Sequence, residues 1–124
     1  MDGNDNITGG NGADTIRGHG ATDTISGESG NDSIDGGSAA DFVDGNDGDD
    51  TLHGGDGADD VSGGVGTDSI FGDNDDDYLR ARDGIGDTVN GGAGTDTAEL
   101  DRMCFIGCWD IDAVTDVENK TYPP

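Results

Sequence analysis

Positive charge is what this chain most lacks. Five Lys and Arg stand against 29 Asp and Glu, for a formal net charge of −24 over 124 residues. That balance excludes nucleic-acid backbones and anionic membrane surfaces as favoured partners. Apolar residues are scarce too, at 29%. No run approaches the roughly 18 apolar residues of a membrane helix, so no membrane span is expected. No N-terminal signal peptide is legible. Cysteine is limited to Cys104 and Cys108. Two thiols four apart leave bridging open and do not fix the redox compartment. Both histidines, His19 and His53, lie far upstream, so the thiols lack the partners a zinc site needs.

So little apolar surface and so much like charge would ordinarily leave a chain unfolded. Phase argues otherwise. Asp5, Asp14, Asp23, Asp32, Asp41, Asp50, Asp59, Asp68 and Asp77 recur every nine residues. Two positions after each comes an apolar residue: Ile7, Ile16, Ile25, Ile34, Val43, Leu52, Val61, Ile70 and Leu79. A fixed short period marks a repeat architecture. With Gly9 as position one, eight regular units run to Arg80, from GGNGADTIR to GDNDDDYLR. Met1 to Thr8 is a truncated unit, Ala81 to Asn90 a ten-residue one (ARDGIGDTVN), and GGAGTDTAE restores the pattern with Asp96.

Each position has a physical reason. Glycine at positions one, two and four permits positive φ and close backbone approach in a tight turn. Asp at position six offers a short carboxylate to a cation held by that turn. The apolar residue at position eight sits mid-strand, with polar neighbours at seven and nine on the opposite face. Each unit therefore reads as a six-residue turn and a three-residue strand. One unit cannot bury its single apolar side chain alone. Two facing units can, and stacking such pairs gives a parallel two-sheet solenoid with strands about 4.8 Å apart. Its core is only one side chain deep.

Every second unit then stacks, so Asp5, Asp23, Asp41, Asp59 and Asp77 form one column and Asp14, Asp32, Asp50 and Asp68 the other. Carboxylates in a column repel unless cations lie between coils. Carboxylates plus turn carbonyls make an all-oxygen shell, which suits calcium better than the stricter geometry of magnesium. Folding and metal load should be one equilibrium.

GGNGADTIR, GGDGADDVS and GGVGTDSIF resemble the GGxGxDxUx nonapeptide of the repeats-in-toxin (RTX) family, over residues 1–99. The resemblance implies an all-β, right-handed parallel β-roll with calcium in the turns. It also implies a secreted bacterial protein that folds on meeting external calcium. Carried across, the ligands are Asp pairs two units apart: Asp5 with Asp23, Asp14 with Asp32, Asp23 with Asp41, Asp32 with Asp50, Asp41 with Asp59, Asp50 with Asp68, and Asp59 with Asp77. Asp68 with Asp87 and Asp77 with Asp96 cross the irregular unit. Backbone carbonyls complete the shells, from Gly9, Gly10, Gly12, Gly27, Gly30, Gly45, Gly48, Gly54, Gly55, Gly57, Gly63, Gly64 and Gly66. Several ions are expected, roughly five to nine. His19, Glu28, Asn46 and Asp73 replace glycine at position two, and Ala21, Ala39 and Asp75 at position four. Side chains at position two matter less and are tolerated, whereas the position-four turns are strained, and their sites weaker, if positive φ is required there. Ala81, Arg82 and Gly86 depart most, which puts the site around Asp87 in doubt.

No serine, cysteine or carboxylate constellation resembles a catalytic group, so no enzyme activity is expected. The Thr15, Ser33, Thr51, Ser69 and Thr88 row reads as strand propensity and solubility. Phe42, Phe71 and Tyr78 should point outward. From Leu100 the pattern changes, with Leu100, Met103, Phe105, Ile106, Trp109, Ile111, Val114 and Val117 in close succession. Residues 100–124 read as a segment capping the roll, because a bare solenoid end invites association. Met1 falls in mid-unit, so either the chain continues from a parent polypeptide or that end has a partner. Two functions remain: a non-catalytic calcium-binding module, or a structural protein that stacks end to end into a filament or surface layer.

Overall fold

The computed structural model describes residues 3–83, 85–100, 102–104, 108–110, 113–115 and 119–121. Strands follow the repeat: β1 (Asn6–Asn11), β2 (Thr15–Arg17), β3 (Thr24–Ser29), β4 (Ser33–Ser38), β5 (Phe42–Asp47), β6 (Thr51–Asp56), β7 (Asp60–Val65) and β8 (Ser69–Asn74). Then come β9 (Tyr78–Ala81), β10 (Thr88–Ala93), β11 (Thr97–Leu100), β12 (Arg102–Cys104), β13 (Cys108–Asp110), β14 (Ala113–Thr115) and β15 (Asn119–Thr121). Among the described residues there is no helix.

Odd and even strands separate into two parallel sheets. One runs β1-β3-β5-β7-β9-β11-β15, the other β2-β4-β6-β8-β10-β14. The molecule is thus a two-sheet β-solenoid of about five turns, the architecture of a β-roll. Register is fixed by the apolar positions: Ile7 pairs with Ile25, Ile25 with Val43, and Val43 with Val61 on one side. Ile16 pairs with Ile34, Ile34 with Leu52, and Leu52 with Ile70 on the other. From Ile25 to Leu79 these side chains are at most 1% exposed. A slip of one residue would turn the whole column out to water and the acidic neighbours in, so this pattern admits one register.

The strands are longer than the three residues expected from the repeat. Most span six residues, because ladder pairing continues through positions one to three of the next unit, as in Glu28 with Asn46 and Ser29 with Asp47. The glycines also divide their labour more sharply than expected. Positions two and four adopt positive φ. Position one does not; it is glycine for lack of room. His19, Ala21, Glu28, Ala39, Asn46, Asp73 and Asp75 all adopt φ between 72° and 82°. Each carries strain of about 1 kcal/mol or more.

The ten-residue unit leaves both sheets intact. Ile70 pairs with Val89 and Leu79 with Ala98, a step of one extra residue absorbed in the turn after β9. Beyond Leu100, which is fully buried, β12 and β13 form an antiparallel hairpin that places Cys104 opposite Cys108. β14 then pairs with β10 and β15 with β11, so the tail adds one strand to each sheet. The expectation of an apolar cap involves the side chains of Met103, Trp109 and Val114, together with Phe105, Ile106, Ile111 and Val117, which lie outside the described residues. So do the cysteine side chains, Met1 and Asp2.

Outward-facing residues pair across coils. His53 stacks on Phe71, with ring centroids 4.6 Å apart, and its Nδ1 lies 2.9 Å from Asp73 Oδ2. Arg80 contacts Asp60 at 2.9 Å and lies over the Tyr78 ring, while the Tyr78 hydroxyl donates to Glu99 at 2.6 Å. Phe42 faces solvent as expected.

Candidate metal sites

Each position-six aspartate stands immediately before a strand, at the mouth of the turn, and the parallel stacking sets it over its counterpart one coil away. The side chain is fixed by a single repeated bond. The backbone N–H of each aspartate donates to Oδ1 of the aspartate on the next coil. In one column the donors are Asp5, Asp23, Asp41, Asp59 and Asp77 and the last acceptor is Asp96, at 2.7–2.9 Å. In the other, Asp14, Asp32, Asp50 and Asp68 donate and Asp87 is the last acceptor, each at 2.8 Å. All nine aspartate pairs expected from the sequence are therefore stacked neighbours.

The second carboxylate oxygen is the informative one. Oδ2 of Asp5, Asp14, Asp23, Asp32, Asp41, Asp50, Asp59, Asp68 and Asp77 is buried without a hydrogen-bond partner. Buried acceptors are almost always satisfied in native proteins, and a buried charge needs a counter-charge. The glycines at position one show where these oxygens point. A Cβ placed on Gly9, Gly18, Gly27, Gly36, Gly45, Gly54 or Gly72 would lie 2.3–2.9 Å from both its own turn's Asp Oδ2 and the carbonyl oxygen of the position-one glycine one coil on. Each such place is a small cradle bounded by a carboxylate and a carbonyl.

The chemistry of this donor set is that of a hard cation. Every available donor is oxygen. Among the described residues no three His, Cys, Asp or Glu side chains converge, so a cation here completes its shell from backbone carbonyls. That favours calcium, which accepts six to eight oxygens in flexible geometry. The residues fit the ion that the sequence implied.

Without a cation, these carboxylates resist ionisation. Burial pushes Asp59 up to about 7, Asp68 to about 6 and Asp77 to about 8. The N–H donated from the preceding coil pulls each back, and the adjacent column carboxylate pushes it further up. Asp41 and Asp50 are raised for the same reasons. A carboxylate whose folded pKa exceeds its unfolded value near 4 stabilises the fold fully below that value. The contribution is lost as pH rises through the folded pKa values, between about 6 and 8. Calcium-free protein is therefore expected to show more strand by circular dichroism at pH about 5 than at pH about 8. Equal or greater strand content at the higher pH would contradict this electrostatic account.

The ligand set that the family resemblance implies includes position-one glycines such as Gly27, Gly45 and Gly63 but not Gly18, Gly36, Gly72 and Gly91, although they share the phase. The carbonyls of Gly36, Gly72 and Gly91 line cradles as the others do. Gly12, Gly30 and Gly48, at position four, turn their carbonyls against the next coil's position-four glycine. Asp83 was also missed. Its Oδ2 accepts the Gly66 N–H at 2.8 Å and its Oδ1 the Ile85 N–H at 2.8 Å. No spacing rule would have revealed it, since it belongs to the one unit that breaks the period.

A family model, the RTX calcium-binding nonapeptide repeat in four copies, matches residues 1–34, 18–52, 35–70, 53–86 and 63–98. No curated protein and no solved structure matches the chain.

Proposed function

Because the chain belongs to the RTX calcium-binding nonapeptide repeat family, we propose that it is a calcium-loaded β-roll module of a secreted bacterial protein, folding on calcium and without catalysis of its own. The observation that carries this reading is the double column of buried aspartate oxygens with no protein partner. Calcium supplies two positive charges per ion and a link between neighbouring coils. The chain's own groups do the rest. The Asp Oδ1 atoms hold the coils in step by accepting the aspartate N–H of the coil before, and the Asp Oδ2 atoms present charge to the cradle. The position-one glycines leave the space open and supply carbonyls. We assign residues 1–99 to the roll and 100–124 to a segment that covers its end. Calorimetric titration should show several calcium ions bound, roughly five to nine, with magnesium at equal concentration a poor competitor. Absence of binding, or equal binding of magnesium, would refute the assignment.

One observation favours a second reading. Among the described residues, β1 and β2 each end their sheet with one strand edge unpaired, and such edges template further pairing. End-to-end stacking into a calcium-stiffened filament is the corresponding proposal. Light scattering that shows a monodisperse monomer at high protein and calcium concentration would eliminate it.

A further inference from the structure

We propose that Cys104 and Cys108 form an intramolecular disulfide that locks the β12–β13 hairpin and so fastens the tail to the end of the roll. The backbone register carries this. The two strands are antiparallel, and their rungs oppose Arg102 to Asp110, Met103 to Trp109 and Cys104 to Cys108. Each rung matches residue types that favour one another: opposite charges, a thioether and an aromatic ring, two thiols. A slip of one residue would lose all three matches at once. The register also meets the geometry of the bond. Directly opposed residues of an antiparallel ladder have Cα atoms about 4.5–5.5 Å apart, and disulfides span about 4.4–6.8 Å. The chain has two cysteines and the aspartate repeats contain neither. Both fall on a single rung of the one antiparallel ladder among the described residues.

The place of the hairpin gives the bond a task. β11 ends at Leu100, and β14 and β15 then add one strand to each sheet. Those last ladders pair three residues each, against five between β3 and β5 or between β6 and β8. The tail is therefore held by fewer backbone bonds than the coils before it, and residues 101–112, which carry both cysteines, join it to them. A cross-link within that connection narrows the freedom of the detached tail and so favours the docked one. The oxidant is an external small-molecule disulfide of the glutathione class. One cysteine thiolate attacks it, forms a mixed disulfide and expels one small thiolate. The second cysteine thiolate attacks the protein sulfur of that mixed disulfide and expels the other. The protein sulfurs lose two electrons, the small disulfide gains them, and the two cysteine protons end on the two released thiols. Such a bond persists in oxidising surroundings, which agrees with the secreted setting proposed above.

The test is to incubate the full chain, folded in saturating calcium, with oxidised glutathione, then to unfold and alkylate it beside a sample reduced beforehand. Mass spectrometry is expected to show a monomer that has lost two hydrogens and takes no alkyl group. Its melting temperature in calcium should exceed that of the reduced chain by roughly 5 °C. Cys104→Ser and Cys108→Ser should show no such rise in oxidised glutathione. Alkylation of both thiols after oxidation, a chain-to-chain dimer, or a mixed disulfide that persists would overturn the bridge. A bridge that forms without raising the melting temperature would overturn its fastening of the tail.

Discussion

Removal of calcium by a chelator near neutral pH is expected to abolish nearly all strand signal, with cooperative recovery on returning the ion. The reason lies in how the molecule is balanced. Its core is one apolar side chain per strand from Ile25 to Ile70, with Leu79 and Ala81 on β9, Val89 on β10, and Ala98 and Leu100 on β11. That burial has to offset the entropy of ordering a whole coil each time. Against it stand 29 acidic residues. Nine of those in the columns are at most 3% exposed, from Asp23 to Asp96. Ionising such groups without counter-charge costs several kcal/mol apiece in real proteins. Protonation removes part of that cost below pH about 6, but not at the pH where Asp59 and Asp77 lose their protons. Circular dichroism in chelator at pH about 7.5, then with calcium titrated in, decides the matter. Equal strand content in both states would show that the ladder is held without metal.

The second large effect comes from a single methyl group. Gly45→Ala would put a Cβ 2.3 Å from Asp50 Oδ2 and 2.6 Å from the Gly63 carbonyl oxygen. Neither neighbour can retreat easily. The carboxylate is tethered by the Asp32 N–H at 2.8 Å, and the carbonyl belongs to a paired strand. Overpacking of this kind costs about 2–3 kcal/mol, and here it also fills the cradle. A fall of roughly 10 °C or more in the melting temperature in saturating calcium is expected, with at least one ion lost. Gly10→Ala is the natural control. That residue, unlike Gly45, needs positive φ, at 103°, but a Cβ there meets nothing within 4 Å. Strain alone should cost it about 1 kcal/mol. If the two variants melt together, crowding of the cradle is not what excludes side chains from position one.

Most of this was legible in the sequence because one constraint recurs. The Ile7, Ile16, Ile25 series fixed the strand phase and hence which units face each other. The aspartates inherited their stacking from it. What escaped were features set by contact and not by period. Positions one and two both read as glycine, yet one is required by a neighbouring carboxylate and the other by backbone twist. Only the folded turn separates a steric demand from a conformational one. Strand length escaped because glycine is a poor predictor of extended pairing, even where the neighbouring coil makes pairing available. Asp83 escaped because a residue that repairs an irregularity shares no pattern with anything else. The tail is legible in the sequence only as a last strand or two finishing the roll; the pairing of Ala113 to Thr115 with β10 and of Asn119 to Thr121 with β11 is not, since those segments lack the nonapeptide signature that sets register.

The alternation of strands between two sheets constrains how such a chain can change length. Insertion of a single nonapeptide would send every downstream strand to the opposite sheet. The aspartate ladder would survive, because both edges carry the same pattern. The outer pairs would survive only an insertion outside their own interval: one placed between Asp60 and Phe71 would part Arg80 from Asp60 and His53 from Phe71, since each pair joins adjacent coils. The interior is thus indifferent to where units are added, whereas the exterior is not. Growth or loss of units outside the His53–Arg80 stretch preserves both outer pairs, so these side chains mark the stretch of the roll whose neighbouring coils are fixed to one another.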